Sequence, residues 1–364
     1  MKILFLTNIP SPYRVAFFRE LGKLCELTVL YEKEVATNRN ADWKAEESDD
    51  TYQSIYLPAL ITRSDNGFCP KVTSYLKKGV YDRIIVGVYS TPTGMYAIHY
   101  MKKHHIPYYI SCDGGMIKDD SKWRFKMKQY FLSDAEGYYS SSHVTDEYLC
   151  YYGAEKSKIH RYPFTSLYEK DVLDDVVSME DKLEIRKKLN VEEDFIFVSV
   201  GQFIYRKGYD LLLKASEKLP KNVGVYIVGS EPTKEYLELK ETLELNNVHF
   251  VGFQKKEKLK QYYCMADVFV LPTREDIWGL VINEAMACGL PVITTDKCVA
   301  GLELIDGNGL IIETDNVKLL ENALQEYSHM LLDSLSVKAK RSLEIVRNYT
   351  IEKMAMAIVM DEGM

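Results

Sequence analysis

Residues 273–292 read TREDIWGLVINEAMACGLPV and follow the apolar run ADVFVLP at 266–272. That run has the Val/Phe/Leu density of a strand buried on both faces, and Pro272 ends it. From Leu280 onward LVINEAMAC predicts a helix that opens near Gly279. Gly289 stands where a left-handed C-cap belongs, and Pro291 cannot continue the helix. The stretch therefore predicts strand, loop, helix. Asp276 falls in a loop at the C-terminal end of a strand, where open α/β sheets bind ligands. Glu284 falls about five residues into the helix, roughly 7–8 Å along its axis. The N–H groups of Gly279, Leu280 and Val281 form an anion site strengthened by the helix dipole. A phosphate there is flanked by two carboxylates, which repel it unless they accept hydrogen bonds from something else. Hydroxyls on either side of a diphosphate meet that need, and a nucleotide sugar has this shape. An ordinary helix cap at Asp276 and a dipole-favouring acid at Glu284 fit the spacing equally well.

The same rhythm of short β-rich runs and longer helical segments fills the chain. KILFLTN, LTVLYE, DRIIVGVYS, PYYISCD, AEGYYSSS and KIHRYPF occupy the first half, and FIFVSVGQ, VGVYIVG, VHFVG, ADVFVLPT, PVITTD and GLIIE the second. Continuous Val/Ile/Phe/Tyr runs imply parallel sheets covered by helices. A chain of 364 residues fits two such α/β domains. The polar stretch near 165–180 marks the seam, and Ser178 with Asp181 predicts a capped helix running to about Leu189. The expected division is an N-terminal domain over 1–168, a C-terminal domain over 169–345, and a terminal helix within 346–364. Met354, Ile358 and Ile351 give that helix an apolar stripe, with which it either packs on its own domain or returns to the first.

Composition excludes several classes. The net charge of −7 argues against a nucleic-acid binder held by overall charge. Seven scattered cysteines, an odd number without a CxxC, read as reduced thiols and not as a zinc site or disulfide frame. No run is apolar and long enough for a membrane span. MKILFLTNIPSPYR reads as a first buried strand in preference to a secretory signal.

A second constellation is VSVGQFIYRKGYDLLLKA at 198–215. Arg206 and Lys207 stand between a strand and a helix, where two cations suit a diphosphate and offset the charge that builds on it as a sugar leaves. A solvated basic turn is the alternative. In the first domain NIPSPYR follows the first strand where a dinucleotide enzyme has a glycine-rich loop, so hydride transfer is disfavoured. Pro10 and Pro12 stiffen this loop and present Tyr13 and Arg14 to an acceptor, or else form a rigid turn with a surface arginine. Asp113, at a strand end before two glycines, is placed to receive or position an acceptor hydroxyl's proton, or forms an Asp-Gly turn. IKDDSKWRFKMKQYFLS at 117–133 interleaves basic and aromatic residues, as in a segment that touches an anionic membrane or as in a solvated helix.

Taken together, 195–315 resembles the C-terminal domain of the family-4 glycosyltransferases, the retaining GT-B enzymes. The family mark is Glu, seven residues, Glu, then a small-residue helix and G-x-P-V. Glu284 and EAMACGLPV match it, whereas the first acid aligns with Asp276, so Asp stands where Glu is usual. Gln202 replaces the arginine that many members carry after Gly201, and Lys207-Gly208 matches the family's KG. Over the first half the resemblance is architectural, with PSPYRVAFF and DGG besides. The resemblance implies a GT-B fold, in which two Rossmann-like domains with parallel sheets face a central cleft. It implies a nucleotide-sugar donor, with a UDP-sugar favoured. Glu284 then holds the ribose, Asp276 the transferred sugar, and Arg206, Lys207 and the 279–281 amides the diphosphate. Gln202 lies beside the phosphates, and Phe253 and Gln254 beside the base. The leading expectation is a cytoplasmic enzyme of surface or capsular polysaccharide synthesis, with the 117–133 segment offering either peripheral contact on the inner face of the membrane or a plain solvated helix. Its acceptor is a glycan or a lipid-diphosphate-linked sugar, and it needs no cofactor or metal. A sugar phosphorylase, a nucleotide-sugar epimerase and a non-catalytic partner subunit remain as alternatives on the same fold.

Overall fold

The computed structural model describes residues 1–34, 50–63 and 66–360. The chain divides into two compact units. Unit one takes Met1–Tyr168 and the chain from Tyr349 onward, and unit two takes Glu169–Asn348.

The strands of unit one are β1 (Lys2–Thr7), β2 (Glu26–Tyr31), β3 (Gln53–Tyr56), β4 (Ile61–Arg63), β5 (Asn66–Phe68), β6 (Arg83–Val86), β7 (Tyr109–Cys112), β8 (Gly137–Ser140) and β9 (Ile159–Arg161). Seven form one parallel sheet in the order β3-β2-β1-β6-β7-β8-β9, and β4 and β5 make a separate antiparallel hairpin. Each apolar run of the first half becomes a strand of this sheet, and all but the edge strand β9 are largely buried. β1 shows the pattern, with Ile3, Leu4, Phe5 and Leu6 all buried. The sheet has one strand more than the apolar runs predict. β3 is a half-exposed edge strand, QSIY, and an edge needs no continuous apolar run.

The last helix, Ile351–Val359, lies in unit one and packs on the helix Pro12–Leu24. It buries Ile351, Met354, Ala355 and Ile358. It is shorter than the 346–364 segment read from the sequence, because the Thr350 hydroxyl caps it by accepting from the Lys353 N–H. A separate helix, Leu332–Val346, ends just before it. Residues 361–364 of that segment lie outside the described residues.

Unit two holds β10 (Phe195–Gly201), β11 (Val223–Gly229), β12 (Val248–Val251), β13 (Val268–Leu271), β14 (Val292–Thr295) and β15 (Gly309–Ile312). They form one parallel sheet in the order β12-β11-β10-β13-β14-β15. The order reverses between β10 and β13, which pair directly through Phe197 with Val268 and Val198 with Phe269. Such a reversal opens a crevice at the C-terminal ends of the two strands.

The opposite edge of this sheet is closed by charge. Arg186, on the helix Met179–Lys188 that Ser178 caps, is buried. It donates to Asp267 at 2.6 Å, to the Met265 carbonyl at 2.9 Å and to the Asp194 carbonyl at 2.7 Å. Asp267 also accepts from the Ile196 N–H at 2.8 Å and from Lys182 at 3.0 Å. Removing one member of a buried ion pair leaves the other charge uncompensated, at a cost of about 3–5 kcal/mol. Asp267→Ala is therefore expected to destabilise unit two by that amount, read as a lower denaturant midpoint at unchanged m-value.

Candidate functional site

The loops after β10 and β13 carry the charges read from the sequence, and unit two brings them together. After β10 the chain makes a 3-10 turn at Tyr205–Lys207, and Gly208 adopts a left-handed φ of 70°. A Cβ on Gly208 would lie 2.0 Å from the Pro272 carbonyl oxygen, so only glycine lets the first loop press on the second. Gly279 precedes the helix Leu280–Ala287 with a φ of 101°. A Cβ there would stand 2.8 Å from the Cys298 sulfur. The two glycines set how closely these loops approach each other and the start of the helix.

Asp276 is held on both sides. Its N–H donates to the Lys297 carbonyl at 2.9 Å, its carbonyl accepts from Val299, and it bridges to Cys298 in parallel register. Its carboxylate accepts from Lys207 Nζ at 2.7 Å and lies 3.5 Å from Arg206 Nη1. Arg206 Nη1 also donates to the Glu275 carbonyl at 2.8 Å. Lys207 and Asp276 are mostly buried, while Arg206 remains 45% exposed and open to an incoming anion.

Glu284 sits on the second turn of the helix and accepts from the Tyr263 hydroxyl at 3.1 Å. Burial, reinforced by the adjacent Glu284 charge, pushes the Tyr263 phenol well above its ordinary pKa, so it stays a neutral donor. Trp278 is buried in the protein, its indole N–H donating to Asn283 Oδ1 at 2.8 Å. Gln202 is exposed at the end of β10. Phe253, 42% exposed, and Gln254 follow β12, two strands from β10 and so about 10 Å across the sheet. Gln254 Nε2 donates to the Gly252 carbonyl at 3.1 Å.

Sequence reasoning missed three members of the assembly: Tyr263, Asp210 and Arg274. Arg274 clasps Asp210 through two parallel hydrogen bonds of 2.7 and 2.8 Å. Each partner lies in a different segment of the chain, so spacing carried no trace of the contact. The one available signal was the density of charge in TRED.

In unit one the expectation of an exposed Arg14 is corrected. The helix already begins at Pro12, with Ser11 as its N-cap, so Arg14 lies in the first turn. Its side chain turns inward among Phe5, Tyr13, Phe17 and Phe164 and pairs with Asp113. Burial opposes its charge, but Asp113 outweighs burial and raises its pKa. Tyr13 is half-buried, its ring edge against Phe164. Asp113 follows β7 as read, but both of its oxygens are engaged, one by Arg14 and the other by the Tyr162 hydroxyl at 2.6 Å. Among the described residues no three His, Cys, Asp or Glu side chains converge as metal ligands.

Two α/β units, each built on a parallel sheet, are the architecture of the GT-B fold. Residues 181–340 match the family described as glycosyl transferases group 1. An uncharacterized glycosyltransferase of Methanocaldococcus jannaschii is 32% identical over 215 residues, 56% of this chain and 53% of its own length. The putative teichuronic acid biosynthesis glycosyltransferase TuaC of Bacillus subtilis is 27% identical over 266 residues, 70% of this chain and 63% of its own length. The chain thus spans between half and two thirds of these relatives. Anabaena HepE, solved in complex with UDP and glucose, shares the fold with a TM-score of 0.77 at 17% identity, over 99% of this chain and 98% of that one.

Proposed function

We propose that the protein is a retaining glycosyltransferase that moves a sugar from a nucleotide-diphosphate sugar, with UDP-sugars favoured, to a glycan or lipid-linked acceptor in surface or capsular polysaccharide synthesis. One observation carries this reading. Arg206 and Lys207 meet Asp276 across two loops beside the start of the helix that bears Glu284. The donor in HepE and the naming of TuaC support it from outside the chain.

The residues divide the work by charge. Arg206, Lys207 and the amides of Gly279, Leu280 and Val281 take the diphosphate, on which negative charge grows as the glycosidic bond breaks. Glu284 accepts from the ribose hydroxyls and Asp276 from those of the sugar. Gln202 adds a neutral polar contact near the phosphates, and Phe253 and Gln254 flank the base. Without donor, Lys207 and Arg206 pair with Asp276. Binding turns the cations toward phosphate and releases the carboxylate to the sugar. Asp276 is shorter than the usual Glu by one methylene, and its backbone contacts to Lys297 and Val299 fix its reach.

Glu284→Ala, with an unchanged melting temperature, is expected to lower transfer from UDP-glucose by about a hundredfold or more. Product analysis in EDTA is the measurement, since the reading draws its positive charge from the protein. Full activity of the folded variant removes the assignment. Asp276→Asn makes the opposite demand on binding. Taking a negative charge from beside the phosphate site is worth about 1 kcal/mol at 6 Å in a solvated environment, so UDP is expected to bind about fivefold tighter while transfer slows. Calorimetry showing weaker UDP binding refutes the exchange of ion pairs.

We further propose that unit one meets an anionic membrane through the helix Lys122–Leu132 and the residues before it. No acidic residue interrupts that helix, Lys122, Arg124 and Lys126 are exposed, and Trp123 is 74% exposed. This basic, aromatic face contrasts with a chain of net charge −7. Among the described residues no helix is long and apolar enough to cross a membrane, so contact at the surface is the mode the segment offers. Sedimentation with phosphatidylglycerol vesicles is expected to carry the protein down at low salt, and the double variant Lys122→Glu/Arg124→Glu to stay in solution. Equal sedimentation with phosphatidylcholine vesicles argues against the electrostatic contact.

A further inference from the structure

Arg274 stands two residues before Asp276, and its side chain reaches back into unit two. Nη1 and Nη2 donate to the two carboxylate oxygens of Asp210 at 2.7 and 2.8 Å. Nε donates to Asp315 at 2.6 Å, and Nη1 also to the Tyr205 carbonyl at 2.8 Å. The guanidinium lies 4.0 Å from the centre of the Tyr205 ring. Its backbone N–H donates to the Arg206 carbonyl at 2.8 Å, and the neighbouring Thr273 hydroxyl donates to the same carbonyl at 2.8 Å.

These partners come from three parts of the chain. Tyr205 and Arg206 belong to the turn after β10, Asp210 to the first turn of the helix Tyr209–Ser216, and Asp315 to the connection after β15. The turn after β10 has no strand pairing beyond Gly201. Its carbonyls at 205 and 206 are instead satisfied from 273 and 274. Burial opposes the charge on Asp210, but the hydrogen bonds and charge of Arg274 outweigh it and lower the carboxyl's pKa, so the pair stays ionised at neutral pH. A bidentate arginine–carboxylate pair fixes direction as well as distance, which a lysine does not.

We propose that Arg274 is a positioning residue of the donor site: it locks the turn bearing Arg206 and Lys207 to the loop bearing Asp276, setting the gap between cations and carboxylate without touching the donor. The role in transfer rests on the glycosyltransferase reading, whereas the lock itself does not. Misplacing charged groups by about an ångström costs up to a hundredfold in rate.

The test uses the full chain with Arg274→Ala, Arg274→Lys and Asp210→Asn, read by amide hydrogen exchange, UDP calorimetry and UDP-glucose kinetics. In Arg274→Ala, exchange over 203–208 and 273–277 is expected to quicken about tenfold or more while β10 and β13 keep their protection. kcat is expected to fall about ten- to a hundredfold, with a smaller change in KM. Arg274→Lys is expected to restore only part of both, since an ammonium cannot serve Asp210, Asp315 and Tyr205 together. Unchanged exchange in both segments overturns the lock. Faster exchange with unchanged kcat and KM overturns its role at the site. If Arg274→Ala fails to fold, the same readings on Arg274→Lys and Asp210→Asn decide. A wild type that neither binds UDP nor transfers, while exchange quickens in the variants, rejects the donor reading and leaves the lock standing.

Discussion

The parallel pairing of β10 with β13 is the constraint on which the candidate site depends. Parallel strands leave all their C-terminal ends on one edge of the sheet, and this pair sits where the strand order reverses. Two loops far apart in the chain are thereby brought side by side, one supplying cations and the other an acid. Pairing alone leaves them a strand spacing apart, and the last approach is made by glycines. Gly208 lets the first loop lie against the Pro272 carbonyl, and Gly279 turns the chain into its helix beside Cys298. Side chains then fix the result, with Lys207 on Asp276 and Arg274 on Asp210.

The two acids of the motif, alike in sequence, are met by different elements of the fold. Asp276 is balanced by ammonium and guanidinium groups, so its charge competes with any anion that seeks the same cations. Glu284 is met by the phenol of Tyr263, which burial keeps neutral. This difference follows from what lies across the fold from each acid and not from their separation along the chain.

What was legible in the sequence follows the same division. Strands buried on both faces announce themselves as apolar runs, and all of the runs read in this way became strands. β3 and the hairpin of β4 and β5 did not, because an edge and a small exposed ribbon bury too little to leave a pattern. Helix boundaries set by local chemistry were readable, as Ser178 and Gly289 show. Contacts between segments were not. Arg14 looked like a tip on a stiff loop, yet Ser11 and Pro12 start a helix there, and the first turn aims it at Asp113. Arg274 offered no spacing to read because its carboxylate partners, Asp210 and Asp315, lie 64 and 41 residues away.

The Arg14–Asp113 pair also bears on what unit one contributes. Arg14 is enclosed by aromatic rings, where an unpaired guanidinium is costly, so Asp113 answers first a structural need. Its second oxygen already accepts from Tyr162, whose phenol burial keeps neutral. A carboxylate fixed by a cation on one oxygen and a hydroxyl on the other still has lone pairs to offer. It offers them from one direction, set by partners anchored on the helix Pro12–Leu24 and on the chain just after β9. Asp113 therefore belongs first to the packing of unit one, tying the helix Pro12–Leu24 to the chain after β9.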